Sequence, residues 1–461
     1  MAIERLGKPG VYVTIDNFMQ AARSGAADEG MPGLRIVAPR ADEYYRGRVS
    51  LVEIRPVAAR IFGEIIGGLT RPLTEDESNP KPVAKEVTEK TINVTAENNH
   101  LASERVNQVF LENRWSDGLP LVPPTLEAVR WMLTGTSRPP DEVIGAVAPK
   151  RGMATIEKIA INSVMAGAKP EYLPVILAAM EGFLDRNYDL GHVTASTGSF
   201  IPIIVVNGPM ARELDMNSGI GFLGHGWRAN STIGRAIRLC WLNLGHTWPA
   251  ENDMALVGRL ASYTFFTFAE NELQSPWEPY HVSLGFKPED STVTVSTVAG
   301  SYSSAGGGAV IPWTGQGILD RIISTVSWVS TYAGGVYSMK HVIAFHPECA
   351  TELAQKGFTR KSLQEWLYEN SRVPYDRLSP STIKEVQLMV DDRRIRPDRI
   401  PVFKEALTPG GKIPIVQSPD DFKIIVVGGV PGYTLQFYYG GPNWAHQTKK
   451  IRGATLTRPG R

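Results

Sequence analysis

Apolar residues along this chain fall into short β-branched runs and longer stretches spaced three and four apart, the signatures of strands and amphipathic helices. The run Val11-Tyr12-Val13-Thr14-Ile15 predicts a strand, closed by Asp16, a helix-capping residue type ahead of Phe18 and Met19. Leu34-Arg35-Ile36-Val37-Ala38 predicts a second strand after the Pro32-Gly33 turn. Ile54, Val57, Ala58, Ile61 and Ile65 then recur at helical spacing, with Gly67-Gly68 as the expected stop. Two strands and two helices are too few to cover both faces of a parallel sheet. Residues 1–71 therefore read as an incomplete βαβα half-domain, and the polar stretch 72–105 as a linker or wrapping arm.

From Val106 onward the pattern is more regular. Ile156, Ile159, Ala160 and Val164 mark a helix with Thr155 as cap, and a second helix covers 171–184. Phe200–Val206 reads as a buried strand, whose Pro202 places its start near a sheet edge. Asn230 or Ser231 is expected to cap a helix with the buried stripe Ile233, Ala236, Ile237 and Cys240. Strands are expected at 292–298, 341–345 and 423–427, and helices at 316–329, 359–370 and 381–391. This alternation makes the fold class α/β, with a mixed sheet in a body of one or two subdomains over 106–461. No internal repeat is visible.

The 461 residues, 43% hydrophobic and 21% charged, supply a sizeable core. Lys and Arg number 48 against 47 Asp and Glu, so nothing steers the chain to nucleic acid or to an anionic membrane. The partner is then a small molecule or another protein. With only Cys240 and Cys349, neither a disulfide framework nor a four-thiolate metal site is available. Apolar runs fall short of the about 18 residues needed to cross a bilayer, and the N-terminus lacks a signal-peptide core, so a cytoplasmic address is expected.

Chemistry concentrates in two segments. After the strand and the turn Asn207-Gly208-Pro209 comes the loop Asn217-Ser218-Gly219-Ile220-Gly221-Phe222-Leu223-Gly224-His225-Gly226-Trp227-Arg228-Ala229-Asn230, leading into a helix. Its glycines let backbone N–H groups approach a ligand, and the helix N-terminus and Arg228 add positive charge. That favours a carboxylate or phosphate; the competing reading is a glycine loop needed only for packing. The spacing matches neither the P-loop nor the dinucleotide fingerprint, so no cofactor is expected. The second segment gathers Glu270, Asn271, Glu272 and His281 around Ser275-Pro276-Trp277. Paired carboxylates with an imidazole suit general acid–base work; the competing reading is a polar loop. None of the eight histidines has the spacing of a local metal site, and no metal is expected. His192 and His225 stand out because each neighbours a glycine in a loop. Cys240 lies on a helix core stripe, Cys349 beside Glu348, and no serine-nucleophile motif is present. Gly428-Gly429-Val430-Pro431-Gly432-Tyr433 is a second glycine-rich loop at a strand end.

Several of these segments resemble a known family. Pro9-Gly10-Val11-Tyr12-Val13-Thr14, Gly30-Met31-Pro32-Gly33-Leu34-Arg35-Ile36-Val37 and the helix closing at Leu69-Thr70 resemble the later half of the UGSC-family (seleno)proteins. These small proteins are named for a selenocysteine- or cysteine-Gly-Ser-Cys motif near their start. The body resembles the long companions of that family through Asp117–Thr125, Glu157–Asn162, Val206–Pro209, Asn217–Gly219 and Arg228–Arg235. This chain contains no Cys-Gly-Ser-Cys, so the resemblance implies that the missing strand and a reactive thiol come from another polypeptide.

The leading expectation is a subunit of a hetero-oligomeric, thiol-dependent enzyme, an oxidoreductase or lyase. It would bind a small anionic substrate through Asn207, Asn217, Ser218, Gly219, Gly221, Gly224, His225, Arg228 and Asn230. Glu270, Glu272, His281 and His192 would be the proton-transfer candidates. The partner would be a small chain carrying a Cys- or Sec-x-x-Cys motif. A binding or scaffold subunit, and a stand-alone hydrolase or lyase using carboxylates and His192, are the alternatives.

Overall fold

The computed structural model describes residues 7–28, 30–43, 50–78, 91–304, 316–328, 331–392, 395–430 and 434–455. The first unit runs strand, helix, strand, helix: β1 (Tyr12–Val13), a helix over Met19–Asp28, β2 (Ile36–Val37) and a helix over Leu51–Thr70. Both strands are shorter than the apolar runs suggest, and they pair in parallel with Tyr12 opposite Ile36. The long helix starts at a capping box between Ser50 and Glu53. It does not stop at Gly67-Gly68. Arg35 donates to the carbonyls of Gly68 (2.5 Å), Arg71 (2.9 Å) and Pro72 (2.7 Å), which satisfies the chain beyond those glycines. The core of this unit is small: Ala26, Leu34, Val37 and Ile61 are buried, while Tyr12, Val13, Val52 and Phe62 are exposed. The expected arm is not wholly extended, since a helix over Asn99–Glu112 begins within it, capped by Asn98. Residues 79–90 of that arm lie outside the described residues.

The body is an α/β sandwich of four layers. Its strands are β3 (Val143–Val147), β4 (Gly152–Thr155), β5 (Ile201–Asn207), β6 (Phe266–Ala269), β7 (Thr292–Val298), β8 (Gly300–Ser303), β9 (Met339–Phe345), β10 (Arg372–Pro374), β11 (Lys412–Pro414), β12 (Phe422–Val426), β13 (Leu435–Pro442) and β14 (His446–Lys450). Two mixed four-stranded sheets have the orders β14-β7-β5-β6 and β12-β9-β13-β8, and two antiparallel pairs, β3-β4 and β10-β11, stand beside them. Ile201, Ile203, Val205 and Phe268 of the first sheet meet Val342, Ala344, Ile425 and Tyr438 of the second. The helices Ile156–Met165, Leu173–Phe183 and Arg228–Gly245 cover the outer face of the first sheet. Helices Gln316–Val326, Pro347–Gln355, Arg360–Asn370 and Pro380–Asp391 cover that of the second.

Packing on both faces explains why β5 reads as an unbroken apolar run with every residue buried. Pro202 is tolerated because β6 begins its pairing only at Ile203, leaving β7 as the neighbour there. In β7 the alternation is legible: Val293 and Val295 face the helices, while Thr292, Thr294 and Ser296 are buried on the other side.

The two sheets repeat one pattern that the residues do not advertise. In the first, β5 has a parallel neighbour, β6, and an antiparallel one, β7. In the second, β9 has a parallel neighbour, β12, and an antiparallel one, β13. Each edge is then supplied by the other half. After β7 the chain crosses at Ala299 and β8 pairs with β13, while after β13 it crosses back and β14 pairs with β7.

Candidate functional site

The carboxyl ends of β5, β6 and β12 converge. Asn207 ends β5, Glu270 and Asn271 follow β6, and Asn271 N donates to Val426 O at 2.8 Å. Strand ends of this kind are where α/β proteins collect ligands. Glu270 is buried, and both its oxygens are engaged. Oε2 accepts from Asn207 Nδ2 at 2.5 Å and Tyr280 N at 2.6 Å. Oε1 faces the Arg360 guanidinium at 3.3 Å and Val426 N at 3.4 Å. Burial pushes the Glu270 carboxyl up from its ordinary value, opposed by Arg360 and by the donors around it. Arg360 in turn donates to Ile424 O (3.1 Å) and Glu278 O (2.7 Å) and lies over the rings of Trp277 and Tyr280.

Glu272 stands beside it with a different environment. Its Oε1 accepts from Gly208 N at 2.7 Å and Asn207 Nδ2 at 3.0 Å, and its Oε2 from Arg212 at 3.2 Å. His281 is fully buried, with Nδ1 3.6 Å from Glu272 Oε1. Among the described residues, neither ring nitrogen of His281 has a hydrogen-bond partner, nor do Asn207 Oδ1 and Thr292 Oγ1. Thr292 lies opposite Asn207 in the β5–β7 register. Leaving such atoms unpaired costs about 1–3 kcal/mol each.

The glycine loop closes over these strand ends. Gly428 N donates to Ser218 O at 2.7 Å, and Asn271 Nδ2 to Gly428 O at 2.8 Å. The amides of Asn217 and Asn230 are used inside the loop. Asn217 Oδ1 accepts from Gly219 N (2.9 Å), and Asn230 bonds Asn217 N and the carbonyls of Asn217, Phe222 and Thr267. The helix accordingly begins at Arg228 with Trp227 as its cap, and neither Asn230 nor Ser231 caps it. Gly221 has φ 69°, while Gly224 and His225 are exposed. Arg228 is exposed and its Nε donates to Gly167 O at 2.9 Å. A cleft of 280 Å3 opens near the strand ends, lined by Gln274, Pro347, Glu348, Thr351 and Val430 among others. Pro431–Tyr433 of the second glycine loop lie outside the described residues.

His192 does not join this group. Its ring neighbours Phe200 and Trp444, at the start of β5, about 20 Å of strand from Asn207. Cys240 and Cys349 are free and buried, and burial pushes both thiols up, so neither supplies a thiolate at neutral pH. Among the described residues no cluster of three or more His, Cys, Asp and Glu could hold a metal, and no helix is long and apolar enough to cross a membrane. Sequence reasoning missed Arg360 and the part-buried Tyr280–His446 bond of 3.0 Å, since neither has a local signature. No protein-family model, curated protein or solved structure matches the chain.

Proposed function

We propose that this chain is the larger subunit of a thiol-dependent enzyme that acts on a small anionic organic molecule. The nucleophilic or reducing thiol comes from a second, small chain carrying a Cys- or Sec-x-x-Cys motif, docked on the half-domain of residues 1–71. The observation that carries this reading is the first unit: among the described residues its sheet has two strands, with Tyr12 and Val13 half exposed, in a chain whose own thiols are sealed in apolar cores. The resemblance to UGSC-family proteins supports the same division of labour.

In this reading the substrate sits at the carboxyl ends of β5, β6 and β12, with the Ser218–Gly219 segment and Arg228 as its anion-binding side. His281 and Glu272 move the proton. An imidazole beside a carboxylate is a pair suited to relaying a proton to or from a substrate. Glu270, with both oxygens engaged, holds Asn207 and Tyr280 in place.

The test is native mass spectrometry of the complex purified from its source. A small chain with a Cys- or Sec-x-x-Cys motif in fixed stoichiometry is expected, and turnover should survive Cys240→Ala and Cys349→Ala but not alkylation of the small chain. Turnover by this chain alone would defeat the reading. Arg228→Ala should weaken substrate binding by about 1.5–3 kcal/mol, as expected for a lost charge-assisted bond, without lowering the thermal midpoint.

A further inference from the structure

The first unit carries a cleft of 740 Å3, formed between β2 and the end of the long helix. Pro32, Gly33, Leu34, Ile36 and Val37 line one side, and Gly67, Gly68 and Arg71 the other, with Arg23, Arg35, Glu64 and Glu77 around them. Among the described residues, the backbone of β2 pairs along one edge only. Tyr12 N donates to Arg35 O at 2.9 Å and Thr14 N to Val37 O at 3.0 Å, so the carbonyls of 35 and 37 face β1. Backbone groups alternate in direction along a strand, which turns the N–H and C=O of Ile36 to the opposite edge.

Glu77 accepts from Arg35 at 2.9 and 2.8 Å and from Thr74 N at 2.8 Å, and stands 3.7 Å from Arg71. One carboxylate thus serves two guanidiniums. Glu64 is paired with Arg60 at 3.0 Å. Arg23 is exposed, and its Nη1 bonds a carbonyl, Leu34 O, at 3.0 Å. Among the described residues, Arg23 and Arg71 are the rim guanidiniums without a short carboxylate bond.

We infer that this cleft receives an extended, acidic segment of the partner chain, which adds to the other edge of β2 as a third strand. The backbone of Ile36 pairs with that strand, and Arg23 and Arg71 bind carboxylates at alternate positions along it. This rests on the proposed function, because it names the partner's contact with the same unit.

The full chain is titrated with an acetylated, amidated heptapeptide alternating valine and glutamate, and with its counterpart carrying lysine for glutamate. Binding is read by fluorescence anisotropy and its location by amide hydrogen exchange. The glutamate peptide should bind at least about tenfold more tightly than the lysine peptide and slow exchange over residues 34–38. The double variant Arg23→Glu/Arg71→Glu should reverse the preference, and Ile36→Pro, which removes the N–H without changing charge, should weaken both peptides. Equal binding of the two peptides, no binding, or protection confined to other segments overturns the inference. So does a dimer of this chain in light scattering that Arg71→Glu dissociates, since the occupant would then be a second copy. If the native complex holds a Cys-x-x-Cys chain but residues 34–38 exchange as they do in the free chain, this contact fails and the proposed function stands. If no such chain is found, the proposed function fails whatever the peptides do.

Discussion

Arg360 and Glu270 form a buried ion pair that joins the end of β6 to the helix and strand of the second sheet, with side chains almost fully enclosed. Such a pair adds little over an apolar substitute, but removing one member strands the other charge. Arg360→Ala should therefore destabilise the body by about 3–5 kcal/mol in urea unfolding. Arg360→Met combined with Glu270→Gln should recover most of that loss, because no uncompensated charge remains. Glu272 and His281 call for a different experiment. Glu272→Gln keeps an acceptor for Gly208 N and His281→Asn keeps a polar side chain, so the fold should tolerate both. If they move the proton, turnover falls about 10²-fold or more while the thermal midpoint holds. Wild-type rates from pH 5 to 9 would reduce the pair to a polar packing detail.

At the level of elements, the long helix of the first unit depends on a charge held from outside it. Arg35 collects its last carbonyls and is itself fixed by Glu77, whose carboxyl is lowered to about 2 by that guanidinium and by the Thr74 backbone. A depressed folded value means the stabilisation is present above the ordinary value of 4.5 and disappears as pH falls from there through about 2. Hydrogen exchange of residues 34–38 and 64–72 should rise across that window. Glu77→Gln should show raised exchange already at neutral pH and lose the acid dependence. The glycine loop behaves otherwise: its shape rests on Asn230, whose amide bonds three carbonyls. Asn230→Asp turns a donor toward those oxygens into an acceptor, and should cost about 1–3 kcal/mol or more in stability.

For the whole molecule, the exchange of β8 and β14 makes the two sheets interdependent. Neither sheet is complete without a strand that follows directly from the other, and Thr297 N donates across the crossover to Ala445 O at 3.1 Å. The body should therefore unfold in a single calorimetric transition with matching van't Hoff and calorimetric enthalpies, separate from a weaker event for the first unit. Ending the chain at residue 443 removes β14 from β7, so both sheets should be lost together and the truncated protein should aggregate. Two resolved transitions for the body would contradict this account of the exchange.

Local spacing was enough for the α/β class, for two strands in the first unit, and in the body for β5, β7, β9, β12 and six of the helices, while the other body strands went unread. Buried strands and amphipathic helices write their burial into local spacing, as the apolar run of β5 and the stripe of Ile233, Ala236, Ile237 and Cys240 show. The sequence also singled out Glu270, Glu272 and His281, because two prolines hold them close in the chain. Only the tertiary structure decided which distant groups they meet. Asn207 reaches them across 63 residues and Arg360 across 90, and such separations leave no periodicity to read. The same holds for His192, which resembled a site residue in sequence but lies at the far end of β5. The strand exchange was equally hidden, since edge pairing is chosen by which backbone groups remain unsatisfied after folding, and side-chain pattern does not encode that choice.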